Sequence, residues 1–311
     1  MDTLVTGGAG FIGSHLVDGL LAAGHSVRVL DDLATGLESN VNPGAELLVG
    51  SVADPEVVTR AVARCEVVFH LGALGAVARS VADPRASNDV NVNGTLNVLT
   101  LARDAGVRRM VFASSSSVYG GAEQVPTPES APLRPRSPYA ISKLAGEWYV
   151  RVFAELYALE TVALRYFNVF GPRQRPDATY AAVIPLFAAA LISGESPIVH
   201  GDGTQSRDFT YVTDVVAANL AAAIAPVATA SGQAFNIAPG AGTSLLELLD
   251  GLAARIGVDP APVFVESRPG DVHRSCADAT AAREILGWEP RVSIADGLAH
   301  YVDWISGSVA P

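Results

Sequence analysis

Tyr139 and Lys143 stand four residues apart, and Lys143 is the single lysine among 21 basic residues. On a helix that spacing puts both side chains on one face, a turn apart. An ammonium beside a phenol favours the phenolate and draws down a pKa that is ordinarily about 10. Arg is a broad planar fork and Lys a compact point charge, so the two are not interchangeable in that role. The run Ala113-Ser114-Ser115-Ser116-Ser117-Val118-Tyr119-Gly120 lies about twenty residues before Tyr139 and follows a strand-like segment directly. In an open parallel sheet the carboxyl ends of strands are where ligands bind. Taken singly, a serine run also fits a polar turn. Tyr-x-x-x-Lys also fits an exposed helix face, and a lone lysine also fits Arg-rich coding.

A second cluster opens the chain. Leu4-Val5-Thr6-Gly7-Gly8-Ala9-Gly10-Phe11-Ile12-Gly13 reads as a strand, a glycine-rich turn and a helix start. Gly7, Gly10 and Gly13 let the backbone turn tightly and approach a pyrophosphate at the helix N-terminus. A plain strand-to-helix turn has the same look, but a second strand pattern ends in Asp31-Asp32, with Asp31 18 residues past Gly13. An acid there accepts from the adenosine ribose hydroxyls and repels a 2′-phosphate, which favours NAD over NADP.

These residues need a frame. Strand patterns are expected at 3–6, 26–30, 46–49, 67–71 and 110–113, and helical patterns at 12–23, 55–64 and 87–105. Strands alternating with helices predict an α/β fold with a Rossmann-type, doubly wound parallel sheet. Val67-Val68-Phe69 and Met110-Val111-Phe112 are continuously apolar, as strands covered on both faces should be. After about residue 171 closely spaced prolines break the pattern, and helices are expected at 244–256 and 279–286. The organisation predicted is a dinucleotide domain over 1–170 and a smaller C-terminal α/β lobe over 171–311, with interleaved edges. The apolar run 215–230 is too short for a bilayer and reads as a buried, Ala-rich helix.

At 311 residues, 49% hydrophobic and 17% charged, the chain can bury a large core. A net charge of −11 argues against nucleic acid, which needs a basic face. Cys65 and Cys276 lie far apart without metal-ligand spacing, so no metal is expected, and a reducing compartment suits them. The N-terminus enters a strand at once without a basic, then apolar, leader, so a soluble cytoplasmic protein is expected.

Joined together, these motifs resemble the extended short-chain dehydrogenase/reductase family. The resemblance runs along essentially the whole chain: the glycine turn, His70-Leu71-Gly72-Ala73, Asn91-Val92-Asn93-Gly94-Thr95, the serine run, Tyr139 with Lys143, and Arg165-Tyr166-Phe167-Asn168. Within the family the chain is most similar to NAD-dependent nucleotide-sugar 4-epimerases. The resemblance implies that Tyr139, as phenolate, takes the sugar 4-hydroxyl proton while C4 passes its hydride to NAD. It implies that Lys143 binds the nicotinamide ribose and, with the cationic nicotinamide, lowers the tyrosine pKa. Ser115 would hydrogen-bond the reacting oxygen. The implied cofactor contacts are Gly7, Gly10, Phe11, Ile12, Gly13, Asp31, Asp32, Gly36, Ser51, Val52, Leu71, Gly72, Ala73, Asn91, Tyr139, Lys143 and Phe167. Two positions depart from the family pattern: Ser51 stands where an Asp usually meets the adenine, and Gly72 replaces an alanine.

The serine run also separates reactions. By the resemblance, the family's 4,6-dehydratases carry Asp and Glu directly after the catalytic hydroxyl, and its UDP-glucuronate decarboxylases carry a Glu two residues before the tyrosine of Val-Tyr-Gly. Here those positions are Ser116 and Ser117. Eliminating water or assisting decarboxylation needs added acid–base groups. Epimerisation needs none. Some proteins of this fold bind a dinucleotide without catalysing anything, but they typically lack the Tyr/Lys pair.

The C-terminal half resembles UDP-N-acetylhexosamine 4-epimerases. That likeness implies a UDP-sugar site with Asn168, Gln174, Tyr180, Val183, Leu186, Phe187, Arg207 and Arg268, joined by Gly75, Ser115, Ser116, Ser117 and Tyr139. Arg207 and Arg268 would hold the diphosphate through charge-assisted hydrogen bonds. Ser275 stands where epimerases restricted to unacetylated sugars often carry a tyrosine, which leaves room for an N-acetyl group. Arg175-Pro176-Asp177 resembles instead a segment of UDP-glucuronate 4-epimerases, which usually have Thr where this chain has Asn168. Helices at 87–105 and 139–157 resemble those that pair into a four-helix homodimer interface.

Overall fold

The computed structural model describes residues 1–267 and 272–309. A seven-stranded sheet forms its centre. Six strands are β1 (Asp2–Thr6), β2 (Ser26–Asp31), β3 (Glu46–Val49), β4 (Val67–His70), β5 (Arg109–Ser115) and β6 (Glu160–Tyr166). The seventh is Gln233–Ile237, which joins β6, so that the order across the sheet is Gln233–Ile237, β6, β5, β4, β1, β2, β3. All six pairings are parallel. The chain order reverses between β1 and β4, and this switch point opens a crevice at the strands' carboxyl ends.

Side chains alternate between two buried faces with the period of two that a strand imposes. Val5, Val67, Phe69 and Val111 face helices α1 (Phe11–Ala22) and α8 (Val212–Ile224). Leu4, Val68, Met110 and Phe112 face α2 (Pro55–Val62), α5 (Gly94–Asp104) and α6 (Pro138–Leu156). A third cluster, with Phe170, Phe187, Leu191, Leu249 and Tyr301, packs around α7 (Val183–Ser193). The chain after residue 171 does not stay apart from the sheet, since α8 packs on it and Gln233–Ile237 joins it.

Two helical expectations need correction. The span 87–105 is not one helix. It is α4 (Pro84–Asn88), a π-helical turn at Asp89–Asn93 and then α5. The apolar run expected as a helix over 215–230 starts earlier, at Val212, and stops at Ile224. Pro226 follows and caps a separate short turn, Val227–Ala230, because proline has no N–H to continue the helix. Among the described residues no helix is long and apolar enough to cross a membrane, and no His/Cys/Asp/Glu group could hold a metal ion.

Candidate active site

The glycine turn is compact for steric reasons. A Cβ on Gly13 would lie 2.0 Å from the Gly7 carbonyl oxygen, and Gly7 itself has φ +74° with the Gly72 nitrogen 2.8 Å from its missing Cβ. Gly10 precedes α1 as its N-cap and has no side chain to cap it, which leaves the first N–H groups for an anion. The buried Asp31 carboxylate ties the turn to β2: one oxygen accepts from Ala9 N–H and the other from Leu33 N–H, both at 2.9 Å. Burial pushes its pKa up, and the two N–H donors oppose that.

A cavity of about 300 Å³ runs from this turn along the strand ends. Gly7, Gly10, Phe11, Ile12 and Gly13 form one wall, and Asp31, Asp32 and Val52 one end. Leu71, Gly72, Ala73 and Gly75 cross its middle, and Tyr139 and Lys143 stand at the other end. Leu30, Thr35, Gly50, Leu74, Val90, Ala113, Ser114 and Tyr166 also line it and were not expected there.

α6 carries the tyrosine and lysine. Ser137 caps it by accepting from Ala140 N–H at 3.1 Å, and Pro138 occupies the first turn. It packs hard on β5, since a Cβ on Gly146 would meet the Phe112 ring at 2.4 Å. Lys143 is 5% exposed, and its Nζ donates to the Ala113 carbonyl at 2.7 Å. Nζ lies 5.9 Å from the Tyr139 ring centroid. Burial draws the Lys143 pKa down to about 8, and the Glu147 carboxylate one turn on opposes the fall. For Tyr139, burial pushes the phenol up and a hydrogen bond from Ser115 draws it down. Ser115 Oγ accepts from Ser117 N–H at 3.2 Å, so its own O–H is available to donate. The chain's own groups thus leave the phenol high. The lowering attributed to Lys143 with nicotinamide depends on the cation a bound cofactor adds.

Behind the pair lies a buried ionic network that the sequence reading missed. Ser114 O–H donates to Glu147 Oε1 at 2.5 Å, and Glu147 accepts from Arg165 Nε and Nη2 at 2.9 and 2.7 Å. Arg165 also donates to the Tyr119 hydroxyl at 2.7 Å, and Tyr119 O–H to Asn236 Oδ1 at 2.7 Å. Burial pushes the Tyr119 pKa up to about 12. Three consecutive residues at the end of β5 therefore meet α6: Ala113 meets Lys143, Ser114 meets Glu147, and Ser115 meets Tyr139.

A second, larger cavity of about 1010 Å³ lies beside α7. Asn168, Gln174, Val183, Leu186, Phe187 and Arg207 line it. Asn168 has φ +32° and donates to the Asp208 carbonyl at 3.1 Å. The buried Gln174 Oε1 has no hydrogen-bond partner, and Gln174 Nε2 donates to the Val169 carbonyl at 3.1 Å. Arg207 donates to the Ser206 and Val272 carbonyls, at 2.9 and 2.5 Å. Val77, at the start of α3 (Val77–Ala82), lines the second cavity and follows Gly75 of the first by two residues.

A model of the NAD dependent epimerase/dehydratase family matches residues 3–238. The chain belongs to that family. It is 43% identical over 311 residues to the UDP-glucose 4-epimerase of Mycolicibacterium smegmatis, covering 98% of each chain. The UDP-glucose 4-epimerase of Thermotoga maritima, solved with UDP-glucose, superposes with a TM-score of 0.95 at 40% identity and covers 100% of both chains. A UDP-N-acetylglucosamine 4-epimerase from Methanobrevibacter ruminantium, in complex with UDP-N-acetylmuramic acid, gives 0.93 at 35% identity over 99% of both.

In this epimerase/dehydratase the first cavity fits the family's NAD: an uncapped helix start, glycines whose Cβ atoms would fill the turn, and a carboxylate at the end of β2. Several expected site residues lie off both cavities. Ser51 turns back, its hydroxyl accepting from Ala53 N–H at 3.2 Å. Gly36 packs on the turn, with Ala9 Cβ 2.8 Å from its missing Cβ. Asn91 holds the Leu74 backbone from behind, accepting from its N–H at 2.7 Å. Phe167 is 2% exposed and packs beside Tyr119 in a small core cluster. Tyr180 lies under Arg79, whose guanidinium carbon is 5.7 Å from the ring centroid. Ser116 and Ser117 form a short 3₁₀ turn beyond β5, with the Ser117 hydroxyl buried and unpartnered. Ser275 is half-buried and donates its N–H to the Ser206 carbonyl at 3.1 Å. Arg268 lies outside the described residues. The Gly72 departure has a steric reason, because a Cβ there would meet Thr6 Oγ1 at 3.1 Å and Val52 Cγ1 at 3.2 Å.

Proposed function

We propose that the protein is a UDP-hexose 4-epimerase. It interconverts UDP-GlcNAc with UDP-GalNAc, and UDP-Glc with UDP-Gal, through a transient 4-keto sugar. The observation that carries this reading is that Tyr139 and Lys143 meet at one cavity end with Ser115 hydrogen-bonded to Tyr139, and that only serines stand at 116 and 117. Tyr139 is the base for the 4-hydroxyl proton. Ser115 donates to the reacting oxygen and steadies the phenolate, and the Lys143 ammonium keeps the site cationic. NAD, when bound, supplies the hydride acceptor and returns the hydride. Because Tyr139 gives the proton it took back to the 4-keto oxygen as the alcohol reforms, no acid beyond Tyr139 is needed.

Residues 1–170 bind NAD and residues 171–311 the UDP-sugar, with α8 and Gln233–Ile237 crossing back to the sheet. Asn168, Gln174 and Arg207 address the nucleotide diphosphate side, and Leu186 and Phe187 flank the uracil. The small Ser275 leaves room for an acetamido group, and kinship with a UDP-N-acetylglucosamine 4-epimerase supports that breadth. Arg175 speaks against a uronate substrate, because it is hydrogen-bonded to Asp177 through both Nε and Nη2 in a solvent-facing pair.

The enzyme is proposed to act as a homodimer. On α6, Ile141, Trp148, Val152 and Leu156 are 56%, 53%, 38% and 68% exposed and share one face. Such a stripe is suited to pairing with its copy.

Proton NMR of the purified protein with UDP-GlcNAc, UDP-glucose and UDP-glucuronate in separate tubes, without added cofactor, tests the reading. The 4-epimers of the first two should appear. Conversion of UDP-glucuronate alone would transfer the substrate to Arg175, and no epimer from any sugar with NAD added would end the epimerase reading.

A further inference from the structure

We infer that His70 is a positioning residue that couples the cofactor loop to the catalytic tyrosine. His70 ends β4 and is 1% exposed, directly opposite Thr6 of β1 in the sheet register. Its Nδ1 lies 2.7 Å from Thr6 Oγ1, and its Nε2 lies 2.9 Å from Thr95 Oγ1.

The proton positions on this chain follow from its two ends. Thr95 O–H is directed at the Asn91 carbonyl, 2.6 Å away, so Thr95 Oγ1 must accept from the imidazole. Thr6 Oγ1 accepts from Gly72 N–H at 3.0 Å and has its own proton left to donate to Nδ1. His70 is therefore neutral and protonated on Nε2. Burial and the nearby Lys143 ammonium both hold it neutral, with a pKa drawn down to about 3. A histidine held this way is not an acid–base group for the reaction. It is a rigid two-ended connector.

What it connects gives it a role. At one end is Gly72, in the loop that lines the cofactor cavity. At the other is Asn91, in the π-helical turn Asp89–Asn93, an irregularity frequent at functional sites. The Asn91 side chain accepts from Leu74 N–H at 2.7 Å and donates to the Leu74 carbonyl at 3.2 Å, gripping the same loop two residues on. Its amide also donates to Ser142 Oγ at 3.0 Å, and Ser142 O–H donates to the Tyr139 carbonyl at 2.8 Å. Hydrogen bonds thus lead from the cofactor loop through His70 to the Asn91 backbone carbonyl and, from the Asn91 side chain, on to the backbone of Tyr139.

The inference rests on the epimerase reading for its turnover arm and on NAD binding alone for its other arm. His70→Leu keeps the shape and removes both hydrogen bonds. It should lower the fraction of protein that purifies with NAD. It should also lower kcat by about tenfold to a hundredfold, as small misplacements in a site do, while KM for the UDP-sugar stays within about twofold because the second cavity is untouched. His70→Gln, which can accept at one end and donate at the other, should restore most of both. Should His70→Leu misfold, Thr6→Val and Thr95→Val cut the chain at either end with the imidazole in place and should show the same split. The inference is overturned if the Leu variant, or both Val variants, keep NAD and kcat within about twofold of the parent, or if only the melting temperature moves. A parent protein that binds NAD but turns over no UDP-sugar would refute the epimerase reading and leave the NAD-retention arm decisive for His70.

Discussion

Lys143 Nζ donates to the carbonyl of Ala113 at 2.7 Å, and this one bond fixes the catalytic helix against the end of its neighbouring strand. It also gives a buried ammonium an acceptor, without which burial would be costlier. The pair sets the height of α6 on β5, so that Tyr139 comes level with Ser115. The lysine is thereby a fixed charge, unlike a mobile surface cation.

That fixed charge should give the enzyme a basic limb. Lys143 titrates at about 8 in the folded protein and near about 10.4 when unfolded. Below about pH 8 it is charged in both states. Between the two values the unfolded chain binds more protons, so this residue's contribution to stability rises with pH through that window. Activity runs the other way: kcat/KM should fall above about pH 8 as the ammonium is lost. Glu147→Gln removes the carboxylate that raises this pKa and should move the limb to lower pH. A pH–rate profile of both proteins checks it.

Tyr139→Phe should cut kcat by about a hundredfold to ten-thousandfold, the range for losing a general acid–base group. NAD should still co-purify, since the ring and its packing remain. Ser115→Ala should act more mildly and leave a signature. Ser115 draws the Tyr139 pKa down. Without it the tyrosine loses its proton at higher pH, and the rising limb of the profile moves up.

Glu147→Ala tests the network behind the pair. Glu147 and Arg165 are 7% and 5% exposed at their side chains and bind bidentately. Removing one partner leaves a buried cation alone and should destabilise the fold by about 3–5 kcal/mol. The double variant Glu147→Leu with Arg165→Met, which removes both charges, should lose much less. Urea denaturation of the single and double variants measures the difference.

The residues legible in the sequence were those whose chemistry demands a given type at a given spacing along the chain. Gly7, Gly10 and Gly13, Asp31, and Tyr139 with Lys143 are of that kind, and the alternation of strands and helices around them follows from local pattern. Glu147 and Ser114 escaped notice because their meeting depends on how closely α6 approaches β5, which Gly146 decides by sterics. His70 carried no chemical signal beyond its place in the His70-Leu71-Gly72-Ala73 run, because its partners, Thr6 and Thr95, lie 64 and 25 residues away and only the tertiary fold joins them. The π-turn at Asp89–Asn93 has no periodic signature, so 87–105 read as one helix.

Trp148→Glu should separate the proposed dimer. Trp148 is 53% exposed in the middle of the apolar stripe on α6, with Arg151 alongside its ring at 5.9 Å. A carboxylate there would have to leave water on each side of the two-fold axis, and pairing with the neighbouring Arg151 does not repay that desolvation. Light scattering after size exclusion should show the parent at twice the chain mass and the variant at the chain mass, with circular dichroism unchanged.

Ser275→Tyr should narrow the substrate range without disabling the chemistry. Ser275 is held by its N–H to the Ser206 carbonyl, one residue from Arg207 in the second cavity. That bond pins its backbone, which limits how far a larger side chain can be drawn aside. Ser275 lies off the second cavity, but a tyrosine side chain is long enough to reach from there into the space proposed for the acetamido group. A hydroxyl is small enough to remain beside it, and an acetamido group is not. UDP-GlcNAc turnover should fall by about a hundredfold or more, at the upper range for steric exclusion from a pocket. UDP-glucose turnover should stay within about threefold, because Tyr139, Ser115 and Lys143 lie on the other lobe and are untouched. Parallel loss of both substrates would mean that position 275 supports the fold of the lobe and does not gate the sugar.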